Sequence, residues 1–487
     1  MITNPTQSHS MLTDLYQLTM SAGYWDLGRA EEEAVFNLFF RNHPFKGGYT
    51  LAAGLEYVIK LVESFRFDPD DVAYLASISG NDGAPLFKPG FLDYLSTLRL
   101  TVDIDAIPEG SVVFPHQPLV RVRGPILQCQ LLETALLNIV NFQSLIATKG
   151  ARVALAAQGE PVLEFGLRRA QGIDGALAAS RAAYIGGCSA TSNVLAGKLF
   201  GIPVKGTHAH SWVMSFDDEQ ESFAAYADAM PNNCVFLVDT YDTIEGVRKA
   251  IEVGCSMRER GHEMVGIRLD SGDLAYLSIE ARRLLDEAGF PDASIVASND
   301  LDEHLIESLK RQGAMIAVWG VGTKLVTAYD QPALGGVYKL AAIKNSEGTW
   351  KPKIKLSEQP IKVSVPGVLQ VRRYSNNGRF IADAIYDESL GLNGIAEIVD
   401  PSDPMRRRWV DDATTHEDLL VPIIRGGELC YDPSPLQDIR ARALQQLGLL
   451  HAGVRRLDNP HRYPAGIESN LYNLRQGIIE HARGITP

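Results

Sequence analysis

The chain has 487 residues, too long for one ordinary hydrophobic core, so about two to three domains are expected. Its 46 Lys and Arg against 59 Asp and Glu leave a formal charge of −13; that average field disfavours nucleic acid and anionic membrane, yet permits a locally basic pocket for a phosphorylated metabolite. The five cysteines, Cys129, Cys188, Cys234, Cys255 and Cys430, are widely spaced with no C-x-x-C, so they offer neither a disulfide framework nor a thiolate metal site and point to a reducing, cytoplasmic compartment.

The opening stretch MITNPTQSHSMLTDLYQ lacks the basic and apolar regions of a signal peptide. Thr13 or Asp14 caps a first helix over LYQLTMSAGYW, followed by a hairpin-like AVFNLFFR and the strand pairs TVDIDAIPEGSVVF and LVRVRG. The most apolar helical stretch, LLETALLNIVNFQSLIAT (131–148), carries Glu133, Asn138, Asn141 and Gln143 and reads as a core helix, not a membrane span.

From about residue 160 to 330 short β-branched runs alternate with amphipathic ones. VLEF (162–165), VFLVD (235–239), MVGIRLD (264–270), SIVAS (294–298) and MIAVWG (315–320) read as buried parallel strands; the helical runs between them each close on a glycine. The polar residues at the strand ends, Glu164, Asp239, Arg268 with Asp270, Ser298 with Asn299 and Asp300, then Gly322 and Thr323, favour an irregular (βα) barrel, where such ends converge on one rim. No G-x-G-x-x-G follows a strand, which counts against a dinucleotide fold. Beyond this region KIKLS, IKVSVPG, VLQVRRY and IAEIV read as strands and 434–485 as two helices. The expected fold is therefore α/β, with a barrel domain at 131–345 inserted in a discontinuous α/β or β-rich domain made from 1–130 and 346–487.

KGTHAHSWVMSF places His208 and His210 one residue apart. In an extended segment they would share a face and could chelate a metal, as in metal-dependent barrel hydrolases. Such a site needs further rim histidines, and His262 and His304, the other two inside the barrel, fall at its opposite end. Packing or surface histidines are the plainer alternative.

TDLYQLTM (13–20), FFRNHPFKGGY (39–49), EFGLRRAQG (164–172), GTHAHS (206–211), VDTYDT (238–243), IRLDSGDL (267–274) and GVGTKL (320–325), in that order, resemble the nicotinate phosphoribosyltransferase family. The resemblance runs from residue 13 through KLSEQPIKVSVPG (355–367), with weaker agreement beyond. It implies conversion of nicotinate and phosphoribosyl pyrophosphate to nicotinate mononucleotide and pyrophosphate, a step of NAD salvage. ATP hydrolysis would drive it through a phosphohistidine, with Mg²⁺ carried on pyrophosphate near Asp270. In the family pattern G-T-x-A-H-S the phosphorylated residue is His210, and His208 occupies the unconstrained position. The resemblance further implies a homodimer with shared sites, Tyr16 of one subunit and Phe165 of the other stacking the pyridine ring, Arg168 meeting substrate anions and Thr207 bonding nicotinate.

The chemistry agrees with these assignments. A phosphoryl-accepting imidazole needs an acceptor on its other nitrogen, and Asp239 at the end of the next barrel strand is a candidate, with a helix N-cap as its structural alternative. Arg268 and Asp270, two residues apart, suit a ribosyl phosphate and its hydroxyls, with a plain ion pair as the alternative. Backbone N–H groups at Ser298, Asn299, Gly322 and Thr323 suit a 5′-phosphate. A nicotinamide-specific relative would place an acid near the pyridine substituent; SATSNVLAG (189–197), around Asn193, has none, which favours the carboxylate substrate. DDATTHED (411–418) and MRRRWV (405–410) read as a solvated loop and a surface turn. Since no G-x-x-x-x-G-K-[ST] is present, ATP would use a site overlapping that of phosphoribosyl pyrophosphate.

Overall fold

A computed structural model describes residues 8–359, 363–392, 394–411 and 413–485. The chain forms two compact units, one of residues 146–332 and one built from both flanks.

In the 146–332 unit six strands, β1 (Val162–Glu164), β2 (Ala190–Thr191), β3 (Val235–Leu237), β4 (Gly266–Leu269), β5 (Ser294–Ala297) and β6 (Val318–Val321), form one sheet in the order β2-β1-β6-β5-β4-β3. Every pairing in it is parallel. Strands buried on both faces need continuous apolar runs, and Phe236, Ile267, Leu269, Ala297, Trp319 and Val321 are all at 1% exposure or less. Five of the strands and the helices Thr243–Glu259, Leu274–Glu287 and Glu303–Arg311 follow the expected rhythm. Asp242, Asp273 and Asp302 cap those helices through their side chains, and Gly289 and Gly313 end two of them at φ 78° and 80°. Strand β2 was not expected; two residues are too few to show alternation. Its end and that of β3 do not pair among the described residues, so the irregular barrel is an open half-barrel.

The flanking unit interleaves strands from both chain ends. Its seven-stranded antiparallel sheet runs Trp350–Pro352, Val337–Lys344, Glu33–Phe39, Val120–Pro125, Asp103–Ala106, Val421–Arg425 and Glu428–Leu429. A second sheet, of six strands, is ordered Arg407–Asp411, Ile395–Val399, Ala465–Glu468, Arg379–Asp387, Leu369–Asn376 and His416–Asp418. AVFNLFFR is thus a single central strand, not a hairpin: the strands Val337–Lys344 and Val120–Pro125 pair with its two edges, and Val35 and Leu38, on opposite faces, are 0% exposed. KIKLS is irregular, and IKVSVPG includes residues 361 and 362, which lie outside the described residues. The end of DDATTHED is an edge strand in which Asp418 pairs with Arg372, and MRRRWV turns into the opposite edge strand. The apolar run read as a core helix is Glu133–Ala156, and no helix among the described residues is long and apolar enough to cross a membrane.

Candidate active site

Parallel register brings the C-terminal ends of β1, β3, β4 and β5 to one edge, where the strand-end side chains meet. Phe165, Leu167, Arg168, Ser192, the segment Gly206 to His210, Leu237, Arg268 and Asp270 line a cavity of about 310 Å³ there.

Arg268 organises its floor. Its Nε donates to Ser298 Oγ at 2.9 Å, Nη1 to Thr207 Oγ1 at 3.0 Å and Nη2 to Asp270 Oδ1 at 2.9 Å, while the guanidinium lies 5.8 Å from the centre of the Phe165 ring. The Ser298 hydroxyl also donates to Asp270 Oδ1. Burial pushes the Asp270 carboxyl up, but the Ser298 hydroxyl and the Arg268 charge hold it, on balance, below the usual carboxylate range. It is therefore an anion near neutral pH.

The two histidines part company. Ala209 between them is extended and His210 opens the helix His210–Met214, yet the two rings engage different partners. His208 turns inward, 8% exposed, against Phe223, Tyr226 and Phe236, and its Nε2 accepts the Leu237 N–H at 3.2 Å. That nitrogen is spent on backbone, so the pair cannot chelate; among the described residues no group of three His, Cys, Asp or Glu is placed to hold a metal.

Burial pushes the His208 imidazole down to about 4 from its ordinary 6.5, despite the Ala209 carbonyl. With the folded pKa depressed, the unfolded chain protonates first, so stability is present at neutral pH and is lost as pH falls below the unfolded value. Urea unfolding should show a loss of about 1.4 kcal/mol per pH unit from this group below about pH 6.5, levelling near pH 4, and His208→Gln should remove that slope.

His210 faces the opposite way. Its Nδ1 is 3.0 Å from Thr240 Oγ1, and its Nε2 is 3.8 Å from Asp270 Oδ2 and 4.0 Å from Asp239 Oδ1. Asp239 is thus close but beyond hydrogen-bond length, and Thr240 is the nearer partner. Asp239 Oδ2 is occupied by the Asp270 N–H at 2.8 Å and the Ser271 hydroxyl at 2.6 Å, which leaves its buried Oδ1 without a hydrogen-bond partner on the His210 side. Asp239 is no N-cap: that role belongs to Asp242.

Other expected residues sort by position. Arg168 stands exposed on the turn Leu167–Arg169 at the cavity wall. Gly322 and Thr323 start the short helix Thr323–Val326, whereas Asn299, at φ 93°, precedes its helix by several residues and begins none. Glu164 accepts the Ser180 and Thr191 hydroxyls at 2.8 and 2.6 Å and is fully buried, so it shapes the wall without lining the cavity. Asn193 is consumed in capping the helix Val194–Phe200 and in bonding Ser180 at 3.2 Å; Ser192 is the residue of that stretch that reaches the cavity. Tyr16 belongs to the flanking unit, 48% exposed on the helix Leu15–Asp26.

Phe165 rests on Gly320, where an added Cβ would lie 2.8 Å from the ring. Gly320→Ala should therefore displace the ring from the cavity wall, measurable as a change in the aromatic near-UV signal with little change in secondary structure.

Three models of one family match in order: the nicotinate phosphoribosyltransferase N-terminal domain over residues 11–141, the nicotinate phosphoribosyltransferase family over 161–378 and its C-terminal domain over 370–475. The nicotinate phosphoribosyltransferase of Bacillus subtilis is 46% identical over 98% of this chain and 96% of its own length. The chain belongs to the nicotinate phosphoribosyltransferase family. A relative of that name from Dictyostelium discoideum is 40% identical over 95% of this chain and 87% of its own. The crystal structure of human nicotinic acid phosphoribosyltransferase superposes with a TM-score of 0.84 at 35% identity, over 96% of this chain and 99% of that one. The cavity therefore belongs to a phosphoribosyltransferase family member, an enzyme, and its fold is that of the nicotinate phosphoribosyltransferases.

Proposed function

We propose that the chain forms nicotinate mononucleotide and pyrophosphate from nicotinate and phosphoribosyl pyrophosphate, coupled to ATP hydrolysis through a phosphohistidine at His210. The observation that carries this reading is a cavity with an aromatic wall at Phe165, a guanidinium floor at Arg268, and a half-exposed imidazole at His210 flanked by two carboxylates.

The pyridine ring stacks on Phe165, and the exposed Tyr16 of a second subunit supplies the other face in a homodimer. The nicotinate carboxylate meets Arg168 and Thr207, and the absence of an acid among Ser192 and its cavity neighbours on that wall suits an anionic substituent. The pyridine lone pair attacks C1′ of the ribosyl group as the bond from C1′ to the pyrophosphate oxygen breaks. No proton has to leave the ring nitrogen, so no general base is required. Asp270 addresses the ribose hydroxyls, Arg268 balances the anions, and the turns at Ser298, Asn299, Gly322 and Thr323 receive the 5′-phosphate through backbone N–H groups.

Magnesium borne on pyrophosphate fits here, because Asp270 and the unpartnered, buried Oδ1 of Asp239 offer hard oxygens beside the cavity; when bound it would supply charge neutralisation for the leaving group. In the coupled step His210 attacks the γ-phosphorus of ATP, the P–N bond forms as the bond to the bridging oxygen breaks, and ADP leaves. Water later cleaves the P–N bond and inorganic phosphate is released. The carboxylates of Asp239 and Asp270 balance the positive charge that the ring acquires on attack, and Thr240 fixes the ring plane.

The test measures mononucleotide formation from nicotinate and from nicotinamide, each with and without ATP, followed by acid-labile, base-stable labelling from γ-labelled ATP. Turnover of nicotinate with ATP stimulation and label on His210 is expected. Preference for the amide, or absence of label, would sink the respective part of the reading.

A further inference from the structure

Behind the rim turns runs a chain of charged side chains that the proposed chemistry does not use. Asp302 caps the helix Glu303–Arg311 by accepting the Leu305 N–H on Oδ1 at 2.8 Å, while its Oδ2 takes Lys324 Nζ at 2.7 Å. The next residue, Glu303, is fully buried and pairs with Arg152 Nε at 2.7 Å and with Lys149 Nζ at 2.6 Å. Lys149 also meets Asp330 at 2.5 Å. Two consecutive residues, 302 and 303, therefore hold the segment 324–330 at both ends, one directly and the other through Lys149.

The location of this network gives it a consequence. Lys324 directly follows Gly322 and Thr323, and Asp302 closes the turn that begins at Ser298. Within that turn Asn299 and Asp300 both have positive φ, 93° and 46°, a region that Asn and Asp tolerate better than other side-chain-bearing residues but at some cost, so the turn depends on being held at its ends. Ser298 is held at one end by Arg268 and Asp270; Asp302 is held at the other by Lys324. Burial pushes the Asp302 carboxyl up, but the Lys324 ammonium and the Leu305 amide hold it below the usual range, as an engaged ion pair requires.

We propose that Asp302 and Lys324 are a positioning pair that locks the turns after β5 and β6 into one phosphate-binding unit, with Lys324 spent in the pair and not touching substrate. The proposal rests on the reading of those turns as the seat of the 5′-phosphate.

Asp302→Asn keeps an oxygen acceptor for the N-cap and removes the charge, and Lys324→Met keeps the stem and removes the ammonium. Each should raise KM for phosphoribosyl pyrophosphate about tenfold, with kcat and KM for nicotinate changed less than about twofold, and the double variant should be no worse than either single one. Lys324→Arg should restore most of the loss. If Lys324 itself contacts phosphate, Asp302→Asn frees it and leaves KM unchanged or lower while Lys324→Met raises it; that pattern overturns the proposal. So does an equal rise in both KM values, which marks the pair as structural only. Amide exchange without substrate gives an answer independent of the reaction: Asp302→Asn should speed exchange in 320–324 as well as 299–302, and unchanged exchange at 320–324 overturns the clamp. Failure of the unsubstituted enzyme to turn over phosphoribosyl pyrophosphate would defeat the substrate reading alone, with exchange still deciding the clamp.

Discussion

His210→Ala should collapse the ATP-stimulated rate onto the ATP-free rate, a loss of about 10- to 100-fold in kcat/KM for phosphoribosyl pyrophosphate. The magnitude follows from what a phosphoryl group adds beside the cavity: the equivalent of one charge-assisted hydrogen bond, about 1.5–3 kcal/mol, where about 1.4 kcal/mol is tenfold. Thr240 stands at Nδ1 of the ring and Asp239 and Asp270 face its Nε2, the arrangement on which the proposed role rests. His208→Ala should behave differently. It removes a packed ring and a backbone acceptor, so about 2–4 kcal/mol of stability is lost and the Tm falls, while the folded fraction keeps its ATP coupling. ATP stimulation, label incorporation and thermal unfolding measured on both variants separate the two. Stimulation retained by His210→Ala would refute the phosphohistidine; loss of coupling in correctly folded His208→Ala would tie the two rings together after all.

The contrast between these neighbours shows where the sequence stops being legible. Strand ends were readable because a parallel sheet concentrates polar residues where it meets solvent, and Asp239, Arg268, Asp270 and Ser298 stand together as that rule implies. What failed was the inference from spacing to a shared site: Ala209 between the rings is extended, yet His208 takes the Leu237 N–H and an aromatic cluster while His210 takes the Thr240 hydroxyl, because side-chain rotamer and packing partners decide where each ring ends. Thr240 beside Asp239 in VDTYDT carries no sequence signal of its own, because a hydroxyl next to a carboxylate is equally compatible with plain capping chemistry. AVFNLFFR reads as hairpin-like although it is one central strand, because its partner at 337–344 lies some three hundred residues away, a pairing that no local pattern encodes. KIKLS has the alternation of a strand but stays irregular, since alternation reports a capacity to pair and not the presence of a partner.

Arg268→Ala should cost about 100- to 1,000-fold in kcat/KM, the range typical of removing one preorganised charge from a transition-state site. The loss has two parts. One, on the proposed reading, is the missing countercharge to the departing pyrophosphate. The other is disorder among its neighbours, because the guanidinium touches Thr207, Asp270 and Ser298 at once and no shorter side chain spans all three. Arg268→Lys separates these parts: an ammonium restores charge but not the planar fork, so it should recover less than about a tenth of the lost activity, whereas full recovery would mean that charge alone matters. Asp270 gives a further check through pH. Its carboxyl lies below the usual range in the folded enzyme, held by Ser298 and Arg268 against burial, so the stability it contributes is present above its unfolded pKa and fades as pH falls through the folded one. Without the arginine that carboxyl should rise toward ordinary values, and the acid limb of the kcat/KM profile should move to higher pH in Arg268→Ala. An unmoved acid limb would mean that Asp270 is not the group that titrates there.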